Sequence, residues 1–135
     1  MLGVKTYEPA HIESCRTRLR DLLADYDQLA GGARPAAVAA FTPRLLANLV
    51  VTLDAFFVHR LRTVEGKDGN PLNEVRMLAE SILHDDDFLT ANSTIKYKAG
   101  NSVLGYEIGA PIELDRAQFD RLAERYFEEL EQRFT

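Results

Sequence analysis

The stretch from Pro43 to Thr63 constrains this chain more than any other. Leu45, Leu46, Leu49, Val50, Leu53, Phe56, Phe57 and Leu61 recur at helical spacing and cover a wide sector of one helix, which Val51 and Val58 extend. A helix apolar on most sides must be surrounded, so the chain is expected to be helices packed round a central one. Thr42-Pro43 reads as its start: a hydroxyl cap, then a proline where a missing N–H costs nothing. The remaining stripe is Arg44, Asn48, Thr52, Ala55, His59 and Arg62, while Arg60 is a charge inside the apolar sector, near the helix end.

Three further helices are expected. The first, about 9–30, carries Ile12, Cys15, Leu19, Leu22, Leu23, Tyr26 and Leu29 on one face and stops at Gly31. An Ala-rich turn, Pro35 to Phe41, with some helical character separates it from the second. Beyond the two-glycine turn Glu65–Asn70, Asn70 and Pro71 open a third helix, about 71–84. There Leu72, Val75, Leu78, Ala79, Ile82 and Leu83 are expected to face in, with Asn73, Glu74, Met77, Glu80, Ser81 and His84 near the opposite side. Asp115 to Gln118 is a capping box for a fourth helix with Phe119, Leu122, Ala123, Tyr126, Phe127, Leu130 and Phe134 on its inner face. Between the third and fourth, Thr94–Lys98 alternates, Val103–Ile108 is β-forming, and Ile112–Leu114 follows a Gly-Ala-Pro lead, so a small antiparallel hairpin or meander is expected. The expected fold class is mainly α: a four-helix antiparallel bundle-like domain with that β excursion, one domain over 1–135.

Composition narrows the function classes. With 46% hydrophobic and 27% charged residues over 135, the chain has the balance of a soluble globular protein of one core. A net charge of -5 argues against a nucleic-acid surface. The charge-free run Leu45–Leu53 is short for a membrane span, and the charged residues among the first twenty do not resemble a signal peptide. The single cysteine, Cys15, has no partner for an internal bridge, and its place on the inner face of the first helix reads as a core thiol. A cytoplasmic protein without membrane or nucleic-acid partners is expected.

Several catalytic and metal motifs fail on spacing. Gly66-Lys67 lacks the upstream glycine of a P-loop, and Asp68 stands where its hydroxyl belongs. Glu65, Asp68 and Asn70 do not have EF-hand spacing, and one cysteine makes no zinc finger. His11, His59 and His84 fall on three expected helices, but an antiparallel arrangement sends His84 to the far pole, roughly 20 Å away at about 1.5 Å per residue. Arg76 and His84 stand further apart than the Arg–His pair of HEPN-type ribonucleases. The run Asp85–Asp87 reads as a solvated helix end without spaced partner ligands. No cofactor, catalytic set or metal centre is expected.

One polar constellation remains, between His59 and Arg76. Its candidate ligand-binding residues are His59, Arg60, Arg62, Glu65, Lys67, Asn70, Asn73 and Arg76. As a site, Arg60, Arg62 and Lys67 would hold an anion beside the N-terminus of the third helix, with His59 as an acid or base oriented by Glu65 or Glu74. As scaffold, the same residues would be ion pairs fixing the turn, with Arg60 reaching a carboxylate. Arg60, Arg62, Lys67 and Arg76 against Glu65, Asp68 and Glu74 nearly cancel, which favours the scaffold.

The run from Phe57 to Arg76, containing Val-His-Arg-Leu-Arg and Val-Glu-Gly-Lys-Asp-Gly-Asn-Pro-Leu-Asn-Glu-Val-Arg, resembles the signature of a family of short uncharacterised actinobacterial proteins. Ser102–Gly109 and the Phe-rich last helix resemble that family too. The resemblance implies a stand-alone cytosolic protein and brings no activity, cofactor or catalytic residue. The functional expectation is a helical protein-interaction or self-associating module. Phe119, Tyr126, Phe127 and Phe134 with Tyr7, Tyr97 and Tyr106 exceed what a small core needs, and a homodimer would bury the excess. The alternative is a binding protein or enzyme for a small anionic ligand at the polar turn.

Overall fold

Pro9 and Pro35 each sit at the first turn of a long helix, where a fixed φ helps and an absent N–H is no loss. The computed structural model describes residues 3–135, and in these the chain is mainly helical. Its order is α1 (Pro9–Gly32), α2 (Pro35–Phe56), the one-turn α3 (Arg62–Glu65), α4 (Pro71–His84) and α5 (Arg116–Phe134), with a 3₁₀ turn at Ala99–Asn101. Ion pairs Arg16–Glu131 and Arg116–Asp27 tie opposite ends of α1 and α5, so these two run antiparallel.

The second helix begins earlier and ends sooner than its sequence signals suggest. Pro43 lies inside it. The bond a proline cannot donate would go to the carbonyl of Ala39, an exposed residue whose oxygen water can reach. Thr42 is no cap: its hydroxyl donates to the Val38 carbonyl and meets the Tyr26 hydroxyl. At the other end the helix stops at Phe56, although no glycine or proline marks the spot. A short bridge replaces it, with Val4 N–H donating to His59 O (2.7 Å) and Leu61 N–H donating to Val4 O (2.8 Å). This early exit turns Arg60 inward.

Burial corrects the choice of central helix. Every residue of α4 from Pro71 to Ala79 is buried, and so is Ser81, whereas Leu83 is exposed. The expected polar side of this helix is therefore inside: Asn73, Glu74, Arg76, Met77 and Ser81 lie in the core alongside Leu72, Val75 and Leu78. On α2 only Leu46, Leu49, Val50 and Leu53 are fully buried. Starting at Pro35, α2 is also long and apolar enough in composition to cross a membrane, which the charge-free run of 45–53 alone did not suggest. On α1 the buried residues are Ile12, Cys15, Leu19 and Leu23, while Leu22 and Leu29 of the expected inner face are exposed.

α5 matches its pattern throughout. Asp115 and Gln118 form the reciprocal capping box, and all seven expected inner residues are buried. That burial removes the aromatic argument for a dimer. Phe119, Tyr126, Phe127 and Phe134 are consumed by the protein's own core, where Phe57, Tyr7, Tyr126 and Phe127 rings pack at 5.0–6.3 Å.

The expected hairpin does not form, and among the described residues there is no strand, only isolated bridges at Val4–Arg60 and Phe88–Pro111. Side chains take the backbone groups a ladder would have used. The Glu74 carboxylate accepts from Val103 N–H (2.8 Å) and Leu104 N–H (3.0 Å). The Tyr97 hydroxyl donates to Tyr106 O (2.5 Å), and the Tyr106 hydroxyl donates to Glu113 O (3.0 Å). Residues 94–98 still alternate in burial, with Ile95 and Tyr97 packed on the core, so the period-2 signal was real although its partner strand is missing.

Candidate functional site

The polar turn is built around Glu65, the last residue of α3, which is 1% exposed. Arg76 approaches from α4 as a fork, its Nε 3.1 Å from Oε2 and its Nη2 on Oε1. Asn73, one turn earlier on the same face, donates to Oε2 at 2.7 Å and to Gly66 O at 3.0 Å. Arg60 comes from the turn after α2, with Nε 2.8 Å from Oε1. That contact is an ion pair by distance, but its N–H points off the hydrogen-bond line. The rest of the Arg60 guanidinium is spoken for: Nη1 donates to Phe57 O (3.0 Å), and Nη2 donates to Asp54 Oδ1 (2.8 Å) and Leu72 O (3.2 Å). Its plane lies over the Tyr126 ring, 5.7 Å from the centroid.

Asn70 organises the turn itself. Its Oδ1 accepts from Leu72 and Asn73 N–H, capping α4, and its amide donates to Glu65 O (2.8 Å) and Asp68 Oδ1 (2.7 Å). From α5, Arg133 donates to the same Glu65 carbonyl at 3.1 Å. Gly69, at φ +84°, runs so close to the 94–98 segment that a Cβ would sit 2.7 Å from Lys96 O, which explains the glycine.

Electrostatically the buried centre is balanced: Arg60 and Arg76 face Glu65 and Asp54. Burial pushes the Glu65 carboxyl above the usual glutamate range, opposed by Arg60, the Asn73 amide and Arg62. Glu74 is different. It is 2% exposed, and its acceptors are filled by backbone N–H rather than by a cation. Burial raises its pKa, and the Val103 and Leu104 N–H groups work against that rise. The Tyr126 hydroxyl is buried with no partner, and burial raises its pKa too.

The eight candidate residues thus divide. Arg60, Glu65, Asn70, Asn73 and Arg76 are brought together into one buried web. Arg62 stays exposed, 3.5 Å from Glu65 at its Nη1, and Lys67 is exposed beside it. His59 is exposed in the turn after α2 and makes no hydrogen bond or ion pair with Glu65 or Glu74, which are both engaged by other partners. A cleft of about 310 Å³ opens over the web, lined by Arg62, Glu65, Lys67, Asn73, Arg76, Glu80, Asn92 and Thr94. His59, Arg60 and Asn70 do not line it.

Sequence reasoning missed Asp54, Arg133 and Tyr126 as members of this cluster. The misplaced charge of Arg60 was the only signal of a buried carboxylate partner, and it pointed to a class of residue rather than a position. Among the described residues no group of three or more His, Cys, Asp and Glu side chains is placed to hold a metal ion. No protein-family model matches the chain, and no similar curated protein or solved structure was found.

Proposed function

We propose that the chain is a cytoplasmic, bundle-like helical module that works by self-association, pairing through the outer face of α2. The observation that carries this reading is that the most apolar helix has only four fully buried residues. Its exposed stripe is Ala37, Phe41, Arg44, Asn48 and Ala55, with Phe41 53% exposed and the half-buried Val51 at its edge. Phe41 and the alanines near the two ends of the stripe leave apolar surface open to water. Arg44 and Asn48 in the middle of the stripe argue for a protein partner over hydrocarbon, where a central arginine costs about 3 kcal/mol or more.

The stripe is also self-complementary. In an antiparallel pair with its two-fold at Leu46, Phe41 meets Val51 of a second copy, Ala37 meets Ala55, and Arg44 meets Asn48. Asn48 uses its amide on the Arg44 carbonyl of its own helix, which leaves Oδ1 free to accept from the other Arg44. Ala37 and Ala55 at the two ends of the stripe are small enough not to hold the helices apart there.

Sedimentation velocity from about 5 to 200 µM tests this, beside the double substitution Phe41→Glu, Ala55→Glu, which adds four like charges to the paired face and leaves the buried side alone. The wild type is expected to dimerise and the variant to run as a folded monomer, checked by circular dichroism. A monomeric wild type throughout, or an equally dimeric variant, overturns the proposal.

A further inference from the structure

The cleft above the buried web is a second, separate surface that shares no residue with the α2 stripe. We propose that it is a binding site for a small oxyanion, a phosphate or carboxylate group, held by Arg62, Lys67 and the outer nitrogen of Arg76. Three observations support it. First, Arg76 is 5% exposed, yet only its Nε and Nη2 are used by Glu65. Nη1 has no acceptor in the described residues and is not among the polar atoms sealed without a partner, so it keeps a donor open to solvent on a guanidinium that lines the cleft. A pre-set, desolvated guanidinium loses little entropy on taking an acceptor.

Second, the lining charge is positive in a chain whose net charge is -5. Arg62, Lys67 and Arg76 stand against Glu65 and Glu80. Within the buried web Arg60 and Arg76 balance Glu65 and Asp54. The charges left at the cleft are therefore Arg62 and Lys67 against Glu80, whose Oε2 accepts from the Asn92 amide at 3.4 Å. Third, the volume of about 310 Å³ suits a small polar metabolite and no macromolecule. Lys67 and Arg62 are both exposed long side chains on the rim, within reach of an anion that Arg76 has located.

Binding is read by titration calorimetry at low salt, with inorganic phosphate in one arm and succinate in the other, so that the two oxyanion sources are told apart. Saturable binding of at least one is expected, weakening as salt rises. The variant Arg62→Ala, Lys67→Ala removes two exposed side chains and is expected to fold normally while losing at least tenfold in affinity. Glu80→Lys adds a third exposed cation and is expected to tighten binding severalfold. Absence of saturable binding in both arms overturns the proposal. So does a wild-type affinity retained by the double variant, or left unmoved by Glu80→Lys.

Discussion

Removing the Glu65 carboxylate is the sharpest test of the buried web. In Glu65→Ala the Arg76 fork loses both its acceptors, Asn73 loses its 2.7 Å bond, and Arg60 loses the anion at its Nε. Two guanidiniums, 0–6% exposed at their side chains, are left with Asp54 as the only carboxylate in contact. Breaking a buried ion pair from one side costs about 3–5 kcal/mol, because the stranded charge remains. Against a total stability of about 5–15 kcal/mol this is a large fraction. With a urea slope of about 2 kcal/mol/M, a loss of about 4 kcal/mol lowers the midpoint by about 2 M. Equilibrium urea unfolding followed by circular dichroism measures it. Substituting both partners, Glu65→Leu with Arg76→Met, is expected to recover part of the loss, since it removes one stranded charge together with its acceptor. A drop below about 1 kcal/mol for Glu65→Ala, or a double variant no better than the single one, would falsify the view that these charges are desolvated and mutually dependent.

Two further predictions follow from single buried groups. Glu74 binds its proton more tightly in the folded protein than in the unfolded chain, so its contribution to stability falls as pH rises from the ordinary glutamate range through its raised value. Urea unfolding from pH 4 to 7 is expected to show that decline less steeply in Glu74→Gln than in the wild type, and parallel curves would refute it. Tyr126→Phe removes a sealed hydroxyl that has no partner, so stability is expected to stay within about 1 kcal/mol of wild type or to rise. A larger loss by the same assay would show that the hydroxyl is bonded.

Features decided within a few residues were legible in the order of amino acids. The Asn70-Pro71 start of α4 and the Asp115–Gln118 box of α5 are bonds between a side chain and backbone three residues away at most, so composition alone announces them. The inner face of α5 followed from periodicity, because one side of that helix meets the core along its whole length. The members of the site that share the Glu65–Arg76 window were legible in the same way, as a crowd of complementary charges.

Tertiary structure decided which helix is central, where α2 ends, and what the polar residues of α4 are for. Asn73, Glu74 and Arg76 read as a wet face because polarity signals exposure unless partners arrive from elsewhere. Here they do: Glu74 is satisfied by backbone 29 and 30 residues away, and the Glu65 carbonyl by Arg133, 68 residues on. Those same bonds took the N–H groups of Val103 and Leu104 and left the expected strands without a ladder. A residue's period is written in its neighbours along the chain, but its burial is set by whatever the folded chain lays against it, and for buried polar groups that partner is distant in sequence.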